Sequence, residues 1–292
     1  MFQRPVTELI RTRRSCRTFA RRGIEHETRE ALLRYLEQPI PGPFGSSVRL
    51  GLLELGEGQR IGARLGTYGV IRGARGFLLG AVRRSAMDLE DFGFVFEAAV
   101  LKATELGLGT CWLGGTFKRS SFAAALRLAE DELLPAVSPV GHPDERRSML
   151  DVAFRAVAKS ATRKPWQELF FAGTLAQPLT PEEAGPFATP LEMVRLAPWA
   201  SNRQPWRVVW DGEQGAFHFF LQRTRGYRVP GAVDLQRVDM GIALCHFALA
   251  AQEMGLRGRW QRLSTAPLPG TLHYIASWCP ADAIPCASGV TR

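Results

Sequence analysis

Between Arg13 and Arg17 the chain places three guanidiniums and a hydroxyl within five residues (Arg13, Arg14, Ser15 and Arg17, in the segment RRSCRTF). Planar, permanently charged groups beside a hydroxyl suit a phosphate and the electron-rich edge of a ring. A solvated basic turn in an arginine-rich chain is the plainer reading of the same residues. A second segment, APWASNRQPW, carries Pro198, Trp199, Ala200, Ser201, Asn202 and Gln204. Its prolines fix the backbone while small and amide residues between them can hydrogen-bond a polar ligand edge; a loop leading into the next strand would read the same. A third, GLGTCWLGGTF, holds Leu113, Gly114 and Gly115, where paired glycines let a backbone N–H come close to a planar ligand. It lacks the G-x-G-x-x-G that follows a strand, so it is not a dinucleotide loop. The fourth is the basic pair Arg163 and Lys164 before Pro165, which as a linker charge pair would need no function.

Other chemistries find little support. The cysteines (16, 111, 245, 279 and 286) form no C-x-x-C, and the five histidines form no H-x-x-x-H or H-E-x-x-H. A disulfide framework, a zinc site and a metalloenzyme therefore do not follow, and no metal is expected. There is no serine nucleophile elbow to indicate a hydrolase. Cys16 and Cys111 lie beside candidate binding residues and read as small buried fillers with no resolving partner.

The elements that must position these segments repeat once. Residues 91–112 (DFGFVFEAAVLKATELGLGTCW) align without a gap on 239–260 (DMGIALCHFALAAQEMGLRGRW), with eight identities in 22 positions at an offset of 148. That period is far too long for a solenoid and points to duplication of a whole domain. Each copy reads as a helix apolar nearly all round, capped at Gly107 or Gly255 and followed by a short extended stretch ending near Trp112 or Trp260. In the first half, helices are expected around 7–12 and from an N-cap at Thr28 to Pro39, with strands near 48–55, 76–82 and 135–142. In the second, a helix near 189–196 precedes a hairpin of 206–211 and 216–222, and 272–278 reads as a last strand. Residues 159–190, rich in Pro and Thr, read as a linker, and the halves are set at 1–165 and 166–292. Long helices mixed with hairpins indicate α+β and not an alternating βαβ pattern.

Composition bounds the rest. At 292 residues, 46% hydrophobic and 22% charged, the chain reads as globular with about two domains. No apolar run reaches the ~18–20 residues of a membrane span, and the N-terminus lacks a secretory h-region, so a cytoplasmic protein without a membrane partner is expected. The net charge of +9 comes from 33 arginines and only four lysines spread along the whole chain. Without a basic stripe, nucleic-acid binding is a weak alternative to attraction for anionic cofactors.

RRSCRTF, GLGTCWLGGTF and APWASNRQPW, in that order, resemble the signature segments of the nitroreductase superfamily of FMN enzymes. The duplication and the DMGIALCHFALAAQEMGL helix resemble its single-chain, internally duplicated branch. The resemblance implies an α+β nitroreductase-like fold in which two homologous halves form an intramolecular pseudo-dimer around central helices. It places Arg13 and Ser15 near the FMN phosphate, Arg17 at the N1–C2=O edge, and Arg14 at a position of variable role. Arg163 and Lys164 match the basic pair that closes on the phosphate, and Leu113, Gly114 and Gly115 the loop passing N5 and O4. Pro198, Trp199, Ala200, Ser201, Asn202 and Gln204 match the segment normally supplied by a partner subunit. Where the family has Pro-Ser-Ser or Pro-Ser-Ala, this chain has Pro198-Trp199-Ala200, so hydroxyl contacts are lost and Trp199 could line the pocket, narrow it or pack in the core. The mirror-image motifs are missing from 188–196, from PIPGPFGSS (39–47) and from RGRWQRL, so one FMN per chain and a monomer are expected.

The activity so implied is an FMN-dependent oxidoreductase passing electrons from NAD(P)H through flavin N5 to nitroaromatics, quinones or similar planar acceptors by a ping-pong mechanism. The cofactor performs the chemistry and no catalytic side chain is assigned. Dehalogenating or ene-reducing flavin chemistry, and a flavin-binding protein without turnover, are the alternatives.

Overall fold

In the computed structural model, residues 2–56, 70–144, 163–199, 204–224, 233–263 and 272–281 are described. The chain divides into two compact units, Met1–Ala161 and Thr162–Arg292. The division falls just before Arg163 and Lys164, which were expected with the first half and belong with the second.

In the first unit, α1 (Val6–Thr12) and α2 (His26–Glu37) precede β1 (Val48–Glu54) and β2 (Gly76–Arg83). Helix α3 (Asp88–Glu105) then leads to β3 (Gly109–Thr110), α4 (Arg119–Leu126), β4 (Glu132–Leu133) and β5 (Val137–Gly141). The sheet is antiparallel in the order β1-β2-β5-β3, with β4 also paired to β2. Three acidic residues in the first turn of α3 face the positive end of its dipole. Phe92, Phe96, Val100 and Leu101 are buried along its length. Asp91, also buried, accepts N–H bonds from Phe44 (2.8 Å) and Ser46 (2.7 Å), so the 39–47 segment is clasped by this helix. Gly107 ends the helix at φ 75°, the left-handed geometry a C-terminal cap needs. On the sheet, α4 packs Phe122 against Phe77 at 5.2 Å between ring centres, in a buried cluster with Leu79, Phe117, Leu134 and Val137.

The second unit begins with β6 (Phe170–Ala172), α5 (Pro181–Ala184) and α6 (Ala188–Leu196). Strands β7 (Trp206–Asp211) and β8 (Ala216–Gln222) form the expected hairpin, followed by α7 (Leu235–Glu253), β9 (Gly258–Gln261) and β10 (Leu272–Pro280). The sheet order is β6-β7-β8-β10-β9. Four of these strands repeat the order of the first unit, with β7, β8, β10 and β9 standing where β1, β2, β5 and β3 stand there. Gly255 caps α7 at φ 73°, as Gly107 caps α3.

Two expectations are corrected. Helix α2 starts at His26 with Glu25 as its N-cap, not at Thr28. The described part of 159–190 is not a structureless linker, because β6 pairs in parallel with β7, Phe170 beside Val208. The Pro and Thr that read as linker form a capping box, in which Thr180 accepts from the Glu183 N–H (3.2 Å) and Glu183 accepts from the Thr180 N–H (2.8 Å).

Candidate functional site

The RRSCRTF segment is an extended strip fixed by main-chain bonds on both sides. Ser15 bridges in parallel to Thr110 of β3, and the Cys16 N–H donates to the Thr110 carbonyl at 2.8 Å. Beyond it, Arg72 donates its N–H to the Arg17 carbonyl and accepts from Phe19, each at 2.8 Å. Asp144 donates to the Thr18 carbonyl at 3.1 Å. Gly109 is needed for this close approach, because a Cβ there would meet Cys16 Cβ at 2.8 Å and Sγ at 3.0 Å. Three residues beyond Thr110, Leu113 bridges to Val137, so the strip and the Leu113–Gly115 loop hang from one sheet edge.

Arg14 and Ser15 are exposed, whereas the Arg13 side chain is only 6% exposed. Its Nε and Nη1 have no hydrogen-bond partner among the described residues. The nearest carboxylate oxygen in an ion pair is Glu97 Oε1, 4.0 Å from Nε. Glu97 is fully buried in α3 and accepts from Trp112 Nε1 at 2.7 Å. A guanidinium held in place yet short of partners has hydrogen-bonding capacity left for an anion.

Arg119, which no sequence motif marked, shapes the glycine loop. Its Nε donates to the Leu134 carbonyl (2.9 Å), and Nη2 to Pro135 (2.9 Å) and Gly114 (3.3 Å). Burial pulls its ionisation below the usual arginine range. A Cβ at Gly115 would meet nothing within 4 Å, so that backbone faces open space. The signal that could have found Arg119 is the basic pair Lys118-Arg119 opening a short helix four residues after the glycine pair.

In the second unit, Arg163, Lys164, Trp199 and Gln204 come together. The Arg163 guanidinium lies 4.1 Å above the Trp199 ring and donates to the Leu196 carbonyl at 3.3 Å. Trp199 meets Trp206 edge-on at 5.9 Å, and Pro198 is buried. The Gln204 amide oxygen accepts the Lys164 N–H at 2.5 Å, while its NH2 donates to the Arg195 carbonyl at 2.9 Å. Gln204 holds a positive φ of 44°, uncommon for a side-chain-bearing residue, and is fully enclosed. Lys164 extends its ammonium toward Glu168 at 3.8 Å. Burial, with a smaller contribution from the Arg207 charge, lowers its ionisation. Ala200, Ser201 and Asn202, expected in the same segment, lie outside the described residues.

Residues 5–251 match the family described as "Putative TM nitroreductase", and the chain belongs to that family. Among solved structures it is similar to a nitroreductase-type protein from Thermotoga maritima at 20% identity and a TM-score of 0.59, covering 96% of this chain and 94% of that one. Another similar structure, from Desulfovibrio desulfuricans and crystallised with FMN, is 23% identical over 51% of this chain and 95% of its own, with a TM-score of 0.38. No curated protein matches the chain. The fold is the nitroreductase fold, α+β in both units. No helix among the described residues is long and apolar enough to cross a membrane.

Proposed function

We propose that the chain is an FMN-dependent oxidoreductase taking electrons from NAD(P)H and delivering them to small planar acceptors such as nitroaromatics or quinones. The observation that carries this reading is Arg13, a buried guanidinium with Nε and Nη1 unpartnered, on a strip pinned to the same sheet edge as the glycine loop. Such a group fits a phosphate monoester, which needs fixed charge-assisted donors. Arg13 and Ser15 hold the phosphate, and Arg17 supplies a fixed positive charge further along the strip. Leu113, Gly114 and Gly115 offer backbone groups to a planar ring, held there by Arg119 through the Gly114 carbonyl. FMN, when bound, supplies a two-electron carrier able to accept hydride from a nicotinamide and reduce the acceptor. Arg163, Lys164, Pro198, Trp199, Ala200, Ser201, Asn202 and Gln204 enter the proposal on the family resemblance alone. The shared strand order and the repeated helix support duplication of one domain.

One observation favours a flavin binder without turnover as the second reading. Gln204 spends both ends of its amide on Lys164 and Arg195, and Arg163 covers the face of Trp199. The test is the absorbance of the purified protein followed by anaerobic addition of NADH or NADPH. A bound flavin bleached by either donor supports the enzyme. A bound flavin left unbleached supports the binder, and absence of flavin after reconstitution with FMN overturns both.

A further inference from the structure

The outer face of the second unit's sheet holds a cavity of about 330 Å³ that the flavin reading does not use. Its apolar wall is Phe171, Leu175 and Leu272, continuous with the buried Val209 and Phe220. Its charged floor is Arg207, set between Trp206 and Val208 in β7 and 8% exposed. Nη1 of Arg207 donates to the carbonyls of Trp206 (2.6 Å) and Gln204 (3.1 Å), which locks the guanidinium plane. The opposite edge, Nε and Nη2, makes no hydrogen bond among the described residues, and no carboxylate there pairs with Arg207. Glu168, the carboxylate on the cavity wall, lies 3.8 Å from the Lys164 ammonium, and its charge also acts on Arg207 without forming an ion pair with it. Burial lowers the ionisation of Arg207 and outweighs the opposing charge of Glu168.

In the first unit the corresponding face of the sheet is covered. There residues 111–136, between β3 and β5, include α4, whose Phe122 covers the sheet. In the second unit the corresponding connection is residues 262–271, less than half as long.

We propose that this cavity binds a small organic monocarboxylate with an apolar body, aryl or alkyl. The Nε–Nη2 edge of Arg207 takes the carboxylate side-on through two parallel N–H···O bonds, and Phe171, Leu175 and Leu272 take the hydrocarbon. An inorganic anion would leave that wall wet, and a neutral isostere would leave the guanidinium uncompensated.

Calorimetric titration of the full-length protein with benzoate, hexanoate, benzamide, acetate and inorganic phosphate tests this. Saturable binding of benzoate or hexanoate at one site is expected, with benzamide and acetate at least tenfold weaker and phosphate not competing. Arg207→Gln and, independently, Leu272→Glu should each reduce benzoate affinity at least tenfold. Leu272→Glu leaves the Arg207 backbone bonds intact and serves if Arg207→Gln fails to fold. Equal binding of benzoate and benzamide, phosphate displacing benzoate, or benzoate affinity surviving Leu272→Glu overturns the proposal. Flavin content does not enter these readouts, so the proposal stands or falls apart from the FMN reading.

Discussion

Helices α3 and α7 hold the same place in two sheets of matching strand order, yet the surroundings of their trailing tryptophans differ. In the first unit Trp112 Nε1 donates to Glu97, which also lies against Arg13. At the repeat offset Glu97 becomes Cys245, and Trp260 Nε1 is buried with no hydrogen-bond partner among the described residues. Trp260 packs among Phe219, Phe247 and Trp278, as Trp112 packs against Phe92 and Phe96. One carboxylate in the middle of α3 therefore gives its tryptophan an acceptor and Arg13 a nearby negative charge, where α7 carries a cysteine. The outer faces differ in the same manner, covered by α4 in the first unit and left with a cavity beside Arg207 in the second. The two units share strand order and helix caps, which backbone hydrogen bonding enforces. Single side chains then divide the labour.

The sharpest way to break this comparison is to remove the carboxylate. Glu97→Ala leaves Arg13 and the Trp112 N–H buried without compensation and should cost about 3–5 kcal/mol in denaturant unfolding. Cys245→Ala, at the equivalent position, should cost only about 0.5–1.5 kcal/mol. Similar losses at both positions would mean that Glu97 is no more than packing. Phe122→Ala addresses the covered face. It should cost about 3–4 kcal/mol, against about 1 kcal/mol or less for Leu272→Ala on the half-buried cavity wall.

Flavin binding sharpens the contrast further. Arg13→Ala should weaken FMN affinity by about 10–100-fold, the range for a lost charge-assisted bond, with riboflavin unaffected because it lacks the phosphate. Exposed Arg14→Ala should change it less than about threefold. Equal losses for FMN and riboflavin in Arg13→Ala would move Arg13 away from the phosphate.

The smallest effect is acid sensitivity. His218 is buried, with Nδ1 2.6 Å from Ser277 Oγ and Nε2 3.5 Å from Asp211, and burial lowers its ionisation below the usual 6.5 despite the opposing Asp211. The unfolded chain then takes up a proton that the folded chain resists. Stability from this group is full above pH 6.5 and declines as pH falls below it. The described buried residues of the first unit include no histidine. Denaturant midpoints at pH 7.5 and 5.5 should separate for the wild type and converge for His218→Gln.

Legibility in the sequence followed the strength of local rules. The two long helices and their glycine caps were readable from periodicity and repetition, and the hairpin of β7 and β8 from its Gly212–Gly215 turn. Residues 163–190 were not, because a capping box and a loop draw on the same Pro and Thr, and only pairing with β7 distinguishes them. Thr28 failed as a cap because the helix starts a turn earlier, where Glu25 accepts no side-chain role in capping. Of the candidate residues, the Arg13–Arg17 strip was visible as charge. Arg119, Arg207 and Glu97 were not, since the meaning of each comes from non-local partners. A lone carboxylate inside the apolar run Phe92–Val100 was the one available hint.

The three-residue strand β6 has a consequence for anyone dividing this chain. It pairs along the outer side of β7, so that strand is not the rim of its sheet. A fragment begun at Thr174 would strip it away and expose a row of unsatisfied N–H and C=O groups, a template for aggregation. A fragment begun at Thr162 keeps that margin sealed.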